Sequence, residues 1–310
     1  MVQNDNIKNW KKCWKETTAE LHGMADENRT AEMWNRMSGS YGRDPRRDHR
    51  GGEGDMMRKR TDEIFAFLND AGFSPEGAEV LDIGCGPGPL SIPLAKAGAD
   101  VTSVDIASGM LERLRKEAEK ENLSIDSREL SWWSADIDEL GFRKKFDLVL
   151  ASMTPAINGV ESFEKMISCS KGFCYYSNFA GGGGPGKQHE ELDSLIESII
   201  PKPPRQEEDD KKKPPHLPPR HRHPGNGLYY PFMYLYLSGY RPSVRIGSFG
   251  RKEDLKWEDA ANRMIEFIGH EHDLDDTAKE KIKNFFRDSA KDGICPPEPG
   301  TYTGMMVWKV

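Results

Sequence analysis

The stretch Val80-Leu81-Asp82-Ile83-Gly84-Cys85-Gly86-Pro87-Gly88 constrains the fold of this chain more than any other. An apolar run carrying an acid stops at a glycine-rich turn, and Pro89 to Ala97 then reads as a helix. Strand, tight glycine turn and helix make the first half of a βαβ unit of the kind that holds a nucleotide cofactor. Glycine permits the sharp turn and lets a ligand lie directly on the main chain. Taken alone, the same residues also allow a buried turn between strand and helix with no ligand.

The spacing selects among cofactors. The dinucleotide fingerprint G-x-G-x-x-G needs glycine where this chain has Pro89. A pyrophosphate on the turn is poorly served by an acid just ahead of it, whereas a cofactor with cationic groups tolerates Asp82. The arrangement D-I-G-C-G-P-G resembles motif I of the class I S-adenosylmethionine-dependent methyltransferases, and the residues that follow fit the same family.

Size and charge set outer limits. The chain has 310 residues, enough for one large α/β domain or two smaller ones. A formal net charge of −7 excludes a molecule that is basic overall and binds nucleic acid through that charge. No run approaches the roughly 20 apolar residues of a membrane span, and the N-terminal residues lack a signal-peptide core. A cytoplasmic protein is expected. The 5 cysteines include no C-x-x-C pair, so reduced thiols are expected, with neither a disulfide framework nor a structural zinc site.

Residues 1–60 read as an N-terminal helical cap followed by a mobile loop. Helices are expected over Ile7 to His22, with Trp10 and Trp14 on one side, and over Arg29 to Met37. Gly42 to Gly54, rich in Arg, Asp and Gly, reads as the loop. Residues 61–310 then form the main domain. Met56 to Ala71 is a helix, Glu79 to Ile83 the first strand and Ala99 to Asp105 the second. Asp105 ends that strand about 20 residues after the glycine turn, where a carboxylate can accept both ribose hydroxyl protons. Nicotinamide and S-adenosylmethionine enzymes share that need. A short third strand precedes Trp132, and Phe146 to Thr154 is the fourth strand and its end. Gly172 to Phe179 is the fifth, after a helix at Val160 to Ser168.

The resemblance adds site residues. It places the amino-acid end of S-adenosylmethionine on Asp82, Gly84, Cys85, Gly86, Pro87 and Gly88. It places the ribose on Asp105 with Ile106 beside it, and the adenine on Met110, Asp136 and Ile137. Ser152 and Met153 join the site from the end of the fourth strand. Many small-molecule members carry W-x-x-x-A-x-x-Y ahead of the core; here Trp34 and Tyr41 match it, and Ser38 departs from the alanine. The tyrosine there closes over the methionine end. Plain alternatives stand beside these roles: Trp34 and Tyr41 packing the cap, Met110 in the core, and Asp136 forming a turn. The N-P-P-Y clamp for planar amines is absent, since Ser152-Met153-Thr154-Pro155 stands in its place. Tyr41, Tyr175, Tyr176 and His189 are candidates for the methyl-facing wall or a base.

The C-terminal half is less informative. After Gly181 to Gly184, read as a flexible loop, Gln188 to Ile200 is a helix. Residues 201–227 form a polar, proline-rich insertion. His216, His221 and His223 within it match no metal spacing, and no metal site is assigned. Leu228 to Leu237 reads as a short aromatic helix, mostly core, and Ser243 to Ser248 as a strand. Asp254 to Ile268 and Thr277 to Ala290 read as amphipathic helices, and Thr301 to Val310 as the final strand.

Alternating strands and helices give an α/β class. The resemblance implies a Rossmann-like, doubly wound sheet of seven strands with helices on both faces and an antiparallel last strand. It also implies transfer of a methyl group from S-adenosylmethionine, leaving S-adenosylhomocysteine, to a small-molecule acceptor by in-line displacement. Protein or RNA methylation, with the insertion as a docking surface for a protein partner, is the alternative within the enzymes. A non-catalytic S-adenosylmethionine-binding module is the alternative outside them, and a monomer or a homodimer fits equally.

Overall fold

The computed structural model describes residues 2–22, 26–39, 53–182, 187–199, 227–249, 254–269, 274–295 and 301–310. Expectations for Tyr41, for 40–52 and for the proline-rich residues 201–226 lie outside them. The strands are β1 (Glu79–Ile83), β2 (Asp100–Asp105), β3 (Asp126–Glu129), β4 (Phe146–Ser152), β5 (Ser170–Gly182), β6 (Ser243–Phe249), β7 (Leu255–Lys256), β8 (Ile294–Cys295) and β9 (Thr301–Lys309). The first helices are α1 (Val2–His22), α2 (Glu27–Ser38), α3 (Glu53–Asp70), α4 (Ser91–Lys96) and α5 (Ser108–Lys120). They are followed by α6 (Val160–Cys169), α7 (Lys187–Ile199), α8 (Tyr229–Leu237), α9 (Trp257–Gly269) and α10 (Asp276–Ser289). Two compact units result. One holds Met1–Ala180, Pro224–Ile246 and Thr303–Val310; the other holds Gly181–His223 and Gly247–Tyr302.

The first unit is organised by a 7-stranded sheet of order β3-β2-β1-β4-β5-β9-β6. The pairs β1–β2, β1–β4, β2–β3 and β4–β5 are parallel. The last strand runs the other way. The Val310 amide donates to the Gly172 carbonyl at the start of β5, while Gly304 lies against Ala180 near its end. After β1 the chain winds outward through β2 and β3, then returns to the opposite side of β1 as β4. Strand order reverses between β1 and β4, and such a reversal opens a crevice at the carboxyl ends of the strands.

Period-2 alternation divides the core between the two faces. Leu81, Ile83, Val149, Ala151, Cys174, Tyr176, Met306 and Trp308 pack on one face with residues of α1, α6 and α8. Val80, Val101, Leu148, Leu150, Tyr175 and Val307 pack on the other with Ile64, Phe67 and Leu68 of α3 and Leu94 of α4. Strands buried on both faces are largely apolar, and the apolar residues of β1, interrupted by Asp82 alone between Val80 and Ile83, have that cause.

The N-terminal segment contributes to this core. Trp14 is 1% exposed, with its ring 5.7 Å from Phe163 and 6.0 Å from Tyr230. The Trp10 indole donates to the Tyr230 carbonyl at 3.1 Å, and Lys11 and Lys15 pair with Glu164 and Glu161 of α6. By contrast α2 buries no residue. Polar groups hold it instead. Asn35 accepts the Gly109 amide at the start of α5 at 2.8 Å, and Arg113 donates to the Ser38 carbonyl at 2.6 Å.

In the second unit, Ile268 of α9 and Leu274, Ala278 and Ile282 of the α10 segment form a cluster with Ile196 and Ile199 of α7. One expectation fails locally. The helix read from Asp254 begins only at Trp257, because Leu255 and Lys256 pair antiparallel with Cys295 and Ile294. Among the described residues no helix is long and apolar enough to cross a membrane.

Trp14 tests whether α1 belongs to the cooperative core. Replacing a buried tryptophan by alanine removes apolar burial and leaves a cavity, a loss of about 3–5 kcal/mol. Urea unfolding of Trp14→Ala should show that loss in one transition, whereas a change below about 1 kcal/mol would place α1 outside the core.

Candidate active site

The chain leaves β1 at Ile83 and turns through Gly84, Gly86 and Gly88, all with positive φ. Two of these glycines are also required by space. A Cβ on Gly84 would stand 2.0 Å from Thr154 Oγ1, and one on Gly88 would stand 2.2 Å from Leu114 Cδ1. The turn is fastened to β2. The amides of Gly84 and Cys85 donate to the Val104 carbonyl at 2.8 and 3.1 Å. The Gly86 amide donates to Asp105 Oδ2 at 2.8 Å, and the Ala107 amide to Oδ1 at 2.9 Å. Asp82 is 3% exposed and accepts the Ser91 hydroxyl at 2.6 Å, which in turn accepts the Ser103 hydroxyl at 2.8 Å.

A cleft of roughly 870 Å³, measured to its open mouth, lies at the carboxyl ends of these strands. Asp82, Gly84, Cys85, Gly86 and Pro87 form one wall, and Asp105, Ile106 and Met110 the next. Ser152 and Met153 enter from the end of β4, and Trp34 from α2. The remaining sequence candidates lie elsewhere. Gly88 sits behind the turn against Leu114. The Asp136 carboxylate accepts the Asp138 and Glu139 amides at 2.8 and 3.2 Å, the turn-forming alternative, and does not line the cleft. Ile137 is buried in the core. Tyr175 and Tyr176 are each 1% exposed, and alternation sends their side chains into opposite cores rather than the cleft. Tyr41 and the His189 side chain are outside the described residues.

Several lining residues were not assigned from sequence. Thr30 joins Trp34 from α2; Leu130, Ser131, Trp132 and Trp133 occupy the wall expected of Asp136; Thr154, Pro155 and Ala156 extend the β4 end. The Trp132-Trp133 pair straight after a strand was the available signal. Met153 has φ 51, an uncommon conformation for a residue with a side chain. Its neighbours hold it there. The Met153 amide donates to the Ser177 carbonyl at 2.9 Å, and the Ser152 and Ser177 hydroxyls are 2.9 Å apart. Strain held by surrounding bonds is commonest at functional sites.

The electrostatics of the cleft favour a cation. Burial pushes Asp82 up to about 7; the Ser91 hydroxyl opposes this, and the nearby Asp105 charge adds to it. Burial also raises Asp105, against the amides of Ala107, Gly86 and Ile106. The Cys85 thiol is held well above its ordinary value by burial and by both carboxylates, so it stays protonated. No Lys, Arg or His is among the described residues of the cleft wall. The half-buried Asp105 carboxylate, and the buried Asp82 wherever it ionises, attract positive charge and repel a pyrophosphate.

This has a consequence for stability. Between about pH 4 and pH 7 the folded protein holds a proton on Asp82 that the unfolded chain has released. Stability contributed by this group therefore falls as pH rises through that window. Melting temperatures of wild type and Asp82→Asn from pH 4 to pH 8 should diverge, with the variant gaining relative stability between about pH 4 and pH 7 and the difference levelling off above it. Parallel curves would contradict a raised Asp82.

A family model for a methyltransferase domain matches residues 80–170, from β1 through α6. The ubiquinone biosynthesis O-methyltransferase of Actinobacillus pleuropneumoniae serotype 5b is 53% identical over 53 residues, 17% of this chain and 23% of that protein. The protein of the same name from Methylocella silvestris is 47% identical over 77 residues, 24% of this chain and 28% of that protein. The chain thus spans about a quarter of the length of the curated relatives it matches. Magnesium protoporphyrin IX methyltransferase from Synechocystis PCC 6803 with bound SAH is 16% identical, with a TM-score of 0.49, over 92% of this chain and 99% of that one. Residues 80–170 match the model of a methyltransferase domain, and the chain carrying them resembles the class I S-adenosylmethionine-dependent methyltransferases.

Proposed function

We propose that this protein transfers a methyl group from S-adenosylmethionine to a small-molecule acceptor. The observation that carries this is the pair of carboxylates, Asp82 buried and Asp105 half-buried, in a cleft whose described wall holds no cation. They suit a ligand with an ammonium and a sulfonium. Space at the turn agrees with the same ligand, since a Cβ on Gly86 would meet nothing within 4 Å and the main chain there is open to it. A small acceptor is supported by the confined cleft and by the names of the curated relatives, which are O-methyltransferases of ubiquinone biosynthesis.

The cofactor supplies a methyl group already activated by the positive charge on sulfur. The residues of this chain then have three tasks. Asp105 accepts the ribose hydroxyls while its oxygens keep the Gly86 and Ala107 amides in place. Asp82, behind the glycine turn, offsets the charge of the amino-acid end. The apolar side formed by Ile106, Met110, Leu130 and the Trp132-Trp133 turn takes the adenine. Ser152, Met153 and Pro155 lie on the acceptor side and, with Trp34, exclude water from the line of displacement. Tyr41 is proposed, on the family resemblance alone, to close the methionine end, and residues 1–60 to act as the cap. A hydroxyl acceptor must release its proton as the new bond forms, and none of the described cleft residues is a histidine or lysine poised to take it.

The test is methyl transfer itself. Full-length protein, methyl-labelled S-adenosylmethionine and a cell extract are incubated, and small molecules are then separated from macromolecules. Label is expected in the small-molecule fraction, falling at least about 100-fold with Asp105→Ala. Label in protein or RNA would overturn the acceptor class. Cofactor binding with no transfer to any fraction would overturn the enzyme.

A further inference from the structure

Helix α6 does not line the cleft, yet its lysine reaches the wall from behind. Lys165 Nζ donates to three main-chain carbonyls, those of Trp132 at 2.9 Å, Trp133 at 3.1 Å and Ala135 at 2.8 Å. It is half-buried and, among the described residues, forms an ion pair with no carboxylate. Its ammonium also lies 5.7 Å from the centre of the Trp132 ring. The turn it gathers is pinned at both indoles. The Trp132 indole donates to the Ser162 carbonyl, one turn earlier on α6, and the Trp133 indole to the Ala156 carbonyl, each at 3.1 Å. The Ser162 hydroxyl in turn accepts the amides of Asn158 and Gly159 at 3.0 and 3.1 Å.

Such a lysine is not explained as a surface charge. Three carbonyls converge on one point only where a chain is coiled tightly, and a convergent set of carbonyls stays together when a cation neutralises it. We propose that Lys165 is a positioning residue for the adenosyl half of the cofactor. It fixes the Trp132-Trp133 turn in the shape that forms the adenine wall. With Ser162 it ties that wall to the loop at 156–159 on the acceptor side. The inference rests on the cofactor reading above and adds to it a residue that touches neither cofactor nor acceptor.

Desolvation of the ammonium agrees, since burial lowers the Lys165 pKa, opposed by Cys169, Asp136 and Glu27. The nearness of Asp136 gives that residue a place in the same device, as the former of the following turn, instead of a contact with the base.

The experiment uses the full chain and S-adenosylhomocysteine as the probe. Calorimetric affinities are measured for wild type, Lys165→Met and Lys165→Arg, with amide hydrogen exchange over 130–136 and a melting curve for each. Lys165→Met keeps the aliphatic stem and loses the charge. Its affinity should fall about tenfold, the scale of lost hydrogen bonds to a charged group, with faster exchange confined to 130–136. Lys165→Arg should recover most of both. Wild-type affinity in a folded Lys165→Met would overturn the proposal, as would a loss that Lys165→Arg shares fully. Should Lys165→Met fail to fold, Lys165→Gln takes its place with the same readouts and the same contradicting results. A wild type that does not bind the probe would instead overturn the cofactor reading.

Discussion

The Asp105 carboxylate holds this site together. One oxygen accepts the Gly86 amide and the other the Ala107 amide. A single side chain at the end of β2 thereby fixes both the glycine turn after β1 and the entry to α5. Gly84, Cys85, Gly86 and Pro87 on one side of the cleft and Met110 on the other belong to those two segments. Gly84 can lie against Thr154 only while the turn keeps its shape, and that contact carries the constraint across to β4. The left-handed Met153 is the next link, held by the Ser177 carbonyl on β5. Four neighbouring strands, β1, β2, β4 and β5, thus converge on one crevice.

The same arrangement has a stability penalty. Asp82 stands out of water and Asp105 is half-buried, with hydroxyls and amides as their described partners, and burial raises both. A fold selected for stability alone would place apolar groups there. A cationic ligand relieves the unfavourable charge, so binding and the relief of strain become one event. A dinucleotide would add charge of the wrong sign at the same spot.

Much of this was legible in the residues. The glycine turn, its acid and Asp105 could be read because each answers a local need: a positive φ, a close approach, a strand end at the switch point. The strands buried on both faces were visible as apolar runs. Tyr175 and Tyr176 misled for a physical reason. Their composition suggests a polar wall, but neighbouring residues on a central strand point to opposite faces, and here both faces are covered. Asp136 misled because an aspartate caps its own turn as readily as it meets a ligand. Trp132 and Trp133, and not Asp136, line the cleft there, and both are bonded to α6, about 30 residues later in the chain. Long-range contacts of that kind leave no periodic trace. The two-residue strand Leu255–Lys256 is equally silent, since a single short pairing with Ile294–Cys295 decides it.

The most direct measurement is a calorimetric titration of the full wild-type chain with S-adenosylhomocysteine and, separately, with NADH. A cleft built around Asp82 and Asp105 should bind the first with micromolar affinity, on the order of −8 kcal/mol, and give no heat with the second. Binding of NADH without binding of S-adenosylhomocysteine would contradict the assignment of this cleft to a cationic adenosyl cofactor.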